Sequence, residues 1–149
     1  MLWSELLSGL QSHLTDFYES EGIEAGIYLG HWSDRPNVNC VHLLRGNADF
    51  TEVEADGGYY QTLYVFNWVY VDPNAVDYSD VNAGHRVGYE RLALQELAMF
   101  KGLRTYQKST EGVDFKALVL ECNPDEFIPS FASCLTLKIR LWNEALCGN

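Results

Sequence analysis

The sequence predicts an α+β fold: a single mixed or antiparallel β-sheet of about five strands, with two α-helices packed on one face. Two observations carry this. Two long stretches place apolar residues at helical spacing and several shorter ones alternate them, in the order helix, three strands, helix, two strands. In addition, "GGYYQTLYVFNWVYV" at 57–71 is apolar on both sides of an extended chain: Tyr60, Thr62, Tyr64, Phe66, Trp68 and Tyr70 point one way, and Gln61, Leu63, Val65, Asn67, Val69 and Val71 the other. Two helices cover one face of a sheet and not two. The aliphatic face is therefore expected beneath the helices, which leaves the aromatic face either to a sheet that curls on itself or to a second copy of the chain.

In "LWSELLSGLQSHLTDFYES", Trp3, Leu6, Leu7, Leu10, Leu14, Phe17 and Tyr18 form one stripe of an amphipathic helix that closes near Gly22. "EAGIYLGHW" and "NVNCVHLLRG" read as two strands separated by the turn signal "SDRPN". "NADFTEVEADGG" reads as a protruding hairpin arm around 47–58, with Glu52, Glu54 and Asp56 sharing one face with Phe50. The long strand follows, and Asp72-Pro73 ends it. A second helix is expected from an N-cap at Ser79 or Asp80, with Tyr89, Ala93, Leu97, Phe100 and Leu103 as its inward stripe and Gly102 near its end. "GVDFKALVLEC" is expected to set Val113, Phe115, Ala117 and Val119 against Asp114, Lys116, Leu118 and Leu120. The final strand sets Phe131, Leu135, Leu137, Ile139 and Leu141 against Thr136, Lys138 and Arg140.

A chain of 149 residues, 47% hydrophobic and 21% charged, suits one domain spanning 1–149 with a sizeable core. Its net charge of −11 is uneven: residues 47–85 hold seven acids and no Lys or Arg, whereas residues 86–149 hold eight of each. No basic face is visible, which argues against a nucleic-acid backbone or an anionic membrane as a direct ligand. The longest uncharged run, 57–71, is too short and too polar for a membrane helix. A soluble protein is therefore expected, and because the opening residues lack the basic segment of a signal peptide, nothing suggests secretion. Of the four cysteines, Cys40, Cys122 and Cys134 lie in apolar strand-like runs, where buried reduced thiols are expected.

Cys40 and His42 share a strand face, and His31, Cys122 or Cys134 could join them around a metal. The spacing matches no metal motif, and core packing is the expected role. A Cys–His nucleophile can be written from the same residues with no more specificity. Asp34 and Arg35 before Pro36 read as turn chemistry, and His85 and Arg86 as a solvated helix end. No phosphate loop, HExxH or GxSxG is present. The expectation is a protein that is not an enzyme, with no catalytic residues, no metal and no cofactor.

The order of elements, the "DRP" turn, the acidic arm, the strand running into "VYVDPN", the helix ending in "FKGL" and the strand "LTLKIRLW" together resemble the tail terminator (tail completion) proteins of long-tailed bacteriophages. The resemblance covers almost the whole chain and rests on layout rather than on signature residues. It implies a structural virion protein that caps the tail tube as a hexameric ring and joins it to the head connector. The partners it implies are copies of itself, the major tail tube protein and the head–tail connector protein, with DNA passing through unbound and no membrane. Its place would be the head-proximal end of the phage tail, after assembly in the host cytoplasm. On this reading Tyr64, Phe66, Trp68 and Tyr70 form a subunit interface, and Asp49, Glu52, Glu54 and Asp56 face the tail tube or the lumen, where carboxylates repel phosphate. A head–tail connector (stopper or adaptor) protein has a related layout. A small-ligand-binding α+β domain would instead use the aromatic face as a pocket wall, and an enzyme would need Cys40, His42 or His31 to be reactive.

Overall fold

The computed structural model describes residues 1–30, 37–50, 57–77, 79–80, 82–122 and 129–143, apart from the side chain of Ala117. In chain order they form α1 (Trp3–Ser20), β1 (Gly26–Leu29), β2 (Cys40–Asp49), β3 (Gly58–Tyr70), a single 3-10 turn (Pro73–Ala75), α2 (Ala83–Ser109), β4 (Val113–Cys122) and β5 (Ser130–Trp142). The strands form one mixed sheet in the order β1-β2-β3-β5-β4, giving an α+β fold. The β1–β2 pair is parallel and the other three are antiparallel. Parallel neighbours cannot be joined by a tight turn, so β1 and β2 are not the two arms of a hairpin. Residues 31–36 and 51–56 lie outside the described residues, and with them the whole "DRP" segment and the tip of the expected arm.

Helix α1 forms as the periodicity predicts. Leu6, Leu7, Leu10, Leu14 and Tyr18 are buried, the Leu2 N–H donates to Glu5 Oε2 at 2.6 Å, and Gly22 takes a positive φ of 71° to end the helix. Both helices lie on the face of β3 that holds Leu63, Val65 and Val69, as expected from its aliphatic character. On β5 the same face carries Phe131, Leu135, Leu137, Ile139 and Leu141, every one essentially without solvent contact.

Helix α2 departs from the expected stripe. Its buried residues are Gly84, Gly88, Leu92, Gln95, Ala98, Met99, Gly102, Leu103 and Tyr106, while Tyr89, Ala93 and Leu97 face solvent. The reason is closeness. A Cβ on Gly88 would sit 2.3 Å from the Phe131 ring, and one on Gly102 would sit 2.6 Å from Leu14. The glycines are the packing surface, and a stripe counted from large apolar residues points the helix the wrong way. The helix also runs past Gly102 to Ser109 and stops before Gly112, whose φ is 78°. Its N-cap is Asn82 rather than Ser79 or Asp80, although the Asp80 carboxylate accepts from the Asn82 N–H at 2.9 Å.

A bulge reverses half of β4. Phe115 pairs with Ile139 and Ala117 with Lys138, so Lys116 is an extra residue and the alternation flips across it. Leu118 and Leu120 therefore share the helix side with Val113 and Phe115, opposite Leu137 and Leu135, while Val119 faces the other way. A second bulge in β2, between Arg45 and Ala48, is stabilised by Gln61, whose Nε2 donates to the Gly46 carbonyl at 2.9 Å.

The close seating of α2 predicts the sign of one substitution. In an exposed helix Gly→Ala stabilises by about 1 kcal/mol. At Gly88 the added methyl meets an immobile buried ring, so Gly88→Ala should destabilise by about 1–3 kcal/mol, read as a lowered urea midpoint at an unchanged slope.

Candidate interaction surface

The face of the sheet opposite the helices begins with cross-strand neighbours. Leu44 stands opposite Tyr64, His42 opposite Phe66 and Cys40 opposite Trp68 from β2, with Thr136, Cys134 and Ala132 opposite the same three residues from β5. The expected interface residues differ in what they present. Tyr64 is 36% exposed and Phe66 and Tyr70 are half-buried, whereas Trp68, on the same face, is only 5% exposed, its ring stacked on that of Phe66 at 6.2 Å. Tyr28 and Phe66 flank the His42 ring, at 5.9 and 6.5 Å. Toward the other end of the face, Lys138 Nζ sits 4.6 Å over the Tyr60 ring and the Arg140 guanidinium 4.4 Å over Trp142.

The register gives this face a charge balance unlike that of the whole chain. Asp49 stands opposite Tyr60, Asp114 opposite Arg140 and Glu121 opposite Cys134. Against these acids are Lys138, Arg140 and Lys116, the last held to Asp114. The described part of the face thus carries equal numbers of each sign in a chain of net charge −11. Of the four acids expected in the arm, Asp49 is exposed at the end of β2, and Glu52, Glu54 and Asp56 lie outside the described residues.

Cys40 and His42 are brought together, though not as a reactive pair. His42 Nδ1 lies 2.8 Å from the Gly30 carbonyl, which can only accept, so Nδ1 donates there; Nε2 lies 3.3 Å from the Cys40 sulfur. Cys40 is without solvent exposure, and burial pushes its thiol up to about 11. The proton stays on sulfur, the reverse of what a nucleophilic thiolate needs. Cys134 is half-buried and its thiol is also raised by burial and by the Glu121 charge, while Cys122 is exposed, contrary to the expected burial, because it closes an edge strand. Among the described residues no group of three or more His, Cys, Asp or Glu side chains could hold a metal ion, and no helix is long and apolar enough to cross a membrane. An open cleft lined by Glu24, Tyr28, Val38, Asn39 and Tyr70 borders the aromatic face, and in it Asn39 Oδ1 accepts from the Tyr70 N–H at 2.9 Å.

One element of the surface was not anticipated from the pattern of apolar residues. Leu118, Val119 and Leu120 on edge strand β4 are 49%, 52% and 36% exposed, on both faces at once. Three successive apolar residues in a strand pattern were the available signal. No protein-family model matches the chain, and no curated protein matches it.

The raised thiol of Cys40 and the Tyr18 phenol, also pushed up by burial, set a pH dependence. Both release their protons more readily in the unfolded chain. The folded form therefore binds more protons in alkali, and stability that is full at neutral pH falls as pH rises from about 9 through about 11. Urea midpoints across that range should show the fall. Iodoacetamide at mildly alkaline pH, followed by peptide mapping, should label Cys122 well before Cys40.

Proposed function

We propose that this chain is a structural subunit that works by packing against copies of itself and against other virion proteins, as the ring that caps the tail tube of a long-tailed phage and joins it to the head connector. The observation that carries the reading is the helix-free sheet face. Tyr64, Phe66 and Tyr70 offer apolar area there, Trp68 and His42 pack against the Phe66 ring, and the charges of the described part balance, so two such faces can approach without the repulsion their net charges imply. The order helix, three strands, helix, two strands agrees with the layout that suggested the family. The buried, protonated Cys40 fits a packing role better than catalysis. In the assembled ring the acids of residues 47–85 would line or border the lumen and keep DNA from adhering.

Electron microscopy of the purified protein, alone and with the tail tube protein, tests this directly. Rings, or caps on tube ends, are the expected result. Tyr64→Glu should abolish them while leaving the thermal midpoint within a few degrees of the parent, because Tyr64 is already partly in water. Caps that form unchanged with Tyr64→Glu would move the contact to another surface, and a lasting absence of assembly with every tail component would overturn the reading.

A further inference from the structure

The two edges of the sheet are treated differently. A free edge offers unpaired N–H and C=O groups to any other strand, and proteins blunt such edges by shortness, bulges or charge. β1 is four residues long, and Gln11 Nε2 reaches across from α1 to the Ile27 carbonyl at 3.2 Å. β4 is ten residues long, and its first half carries the bulge at Lys116 and the Asp114–Lys116 ion pair. Its second half has neither. There the successive residues Leu118, Val119 and Leu120 are exposed, and among the described residues no strand pairs with the outer side of β4.

We propose that a second copy of this chain docks on this edge, β4 against β4 and antiparallel, about a two-fold axis at Val119, so that two chains share one continuous sheet. The pattern of β4 is self-complementary about that residue. With Val119 facing Val119 of the second copy, Leu118 stands opposite Leu120 on the helix side, and Leu120 opposite Leu118. On the other side Glu121 stands opposite Ala117 of the second copy, next to the bulged Lys116, and the symmetry repeats this attraction. A slip of one residue would pair side chains of opposite faces. A slip of two residues would set Glu121 opposite the apolar Val119, or opposite Phe115, whose side chain lies on the other face. The register centred on Val119 sets apolar residues opposite one another and leaves each Glu121 diagonal to a Lys116 of the other copy. The contact is separate from the aromatic face and does not rest on the ring reading.

Sedimentation of the isolated protein from micromolar to millimolar concentration, with no tail component present, tests the proposal. A monomer–dimer equilibrium is expected, with amides 118–120 gaining hydrogen-exchange protection as the dimer forms. Val119→Asp, at a position 52% exposed where the fold tolerates a polar side chain, should weaken the dimer at least about tenfold by placing two carboxylates face to face. Lys116→Glu and Glu121→Lys should each weaken it several-fold, and the two together should restore it to within about threefold of the parent, which mere loss of packing would not do. Circular dichroism melts confirm that each variant folds. A monomer at every concentration, a dimer indifferent to Val119→Asp, or a double variant no tighter than the single ones would overturn the proposal. Loss of rings with the edge dimer intact would count against the proposed function alone.

Discussion

The contact on which the rest of the structure depends is the close approach of α2 to the sheet and to α1. Gly88 brings the helix backbone onto the Phe131 ring, and Gly102 brings it onto Leu14 of α1. Once those two points are fixed, the rotation of a 27-residue helix is fixed with them. Gln107 is then carried to the start of β4, where its Oε1 accepts the Phe115 N–H at 2.8 Å, and Tyr18 of α1 donates to the Gln95 carbonyl at 2.9 Å. The same rotation turns Tyr89, Leu94 and Leu97 outward. A larger side chain at either glycine would lift the helix and loosen contacts along its whole length.

Beneath α2 the core is divided. One cluster gathers both helices over β2, β3 and β5, and a smaller one gathers Val69, Val71, Leu92 and Phe131. Polar side chains lie between them: Gln95 Nε2 donates to the Cys40 carbonyl at 3.0 Å, and Asn67 Nδ2 to Ser133 Oγ at 3.3 Å, leaving Asn67 Oδ1 buried without a protein partner. Such groups add little net stability when paired and cost much when one partner is lost. Their effect is specificity of position. Gln95 registers α2 against β2, and Asn67 registers β3 against β5, where apolar contacts alone would tolerate sliding.

Putting both helices on one face has a functional consequence. The opposite face must be built from residues that tolerate partial exposure, and the chain supplies tyrosines, a phenylalanine and threonines there, with Trp68, Cys40 and His42 buried beside them. Aromatic residues with polar tips suit a surface that is wet in the free chain and dry in a complex. Among the described residues this face carries no excess of acids in a chain of net charge −11, which favours association there over repulsion.

How much of this was legible in the sequence follows from the range of each interaction. Periodicity of three to four residues or of two is local, and it placed α1, the strands and the division of β3 into an aliphatic and an aromatic side, and therefore the α+β fold with a helix-free face. The rotation of α2 was not legible, because it depends on Phe131 and Leu14 entering the space above two glycines, and a glycine carries no hydrophobic signal of its own. The bulge at Lys116 escaped for a similar reason. Nothing in "DFKALVL" marks which residue is extra until β5 lies beside it and Ile139 and Lys138 take their partners. Exposure of Cys122 was likewise decided by its place at the end of an edge strand. The sequence by itself determined which segments are helix and strand and which faces are apolar; tertiary structure alone decided which of those faces meet, because contact depends on shape and proximity between residues far apart in the chain.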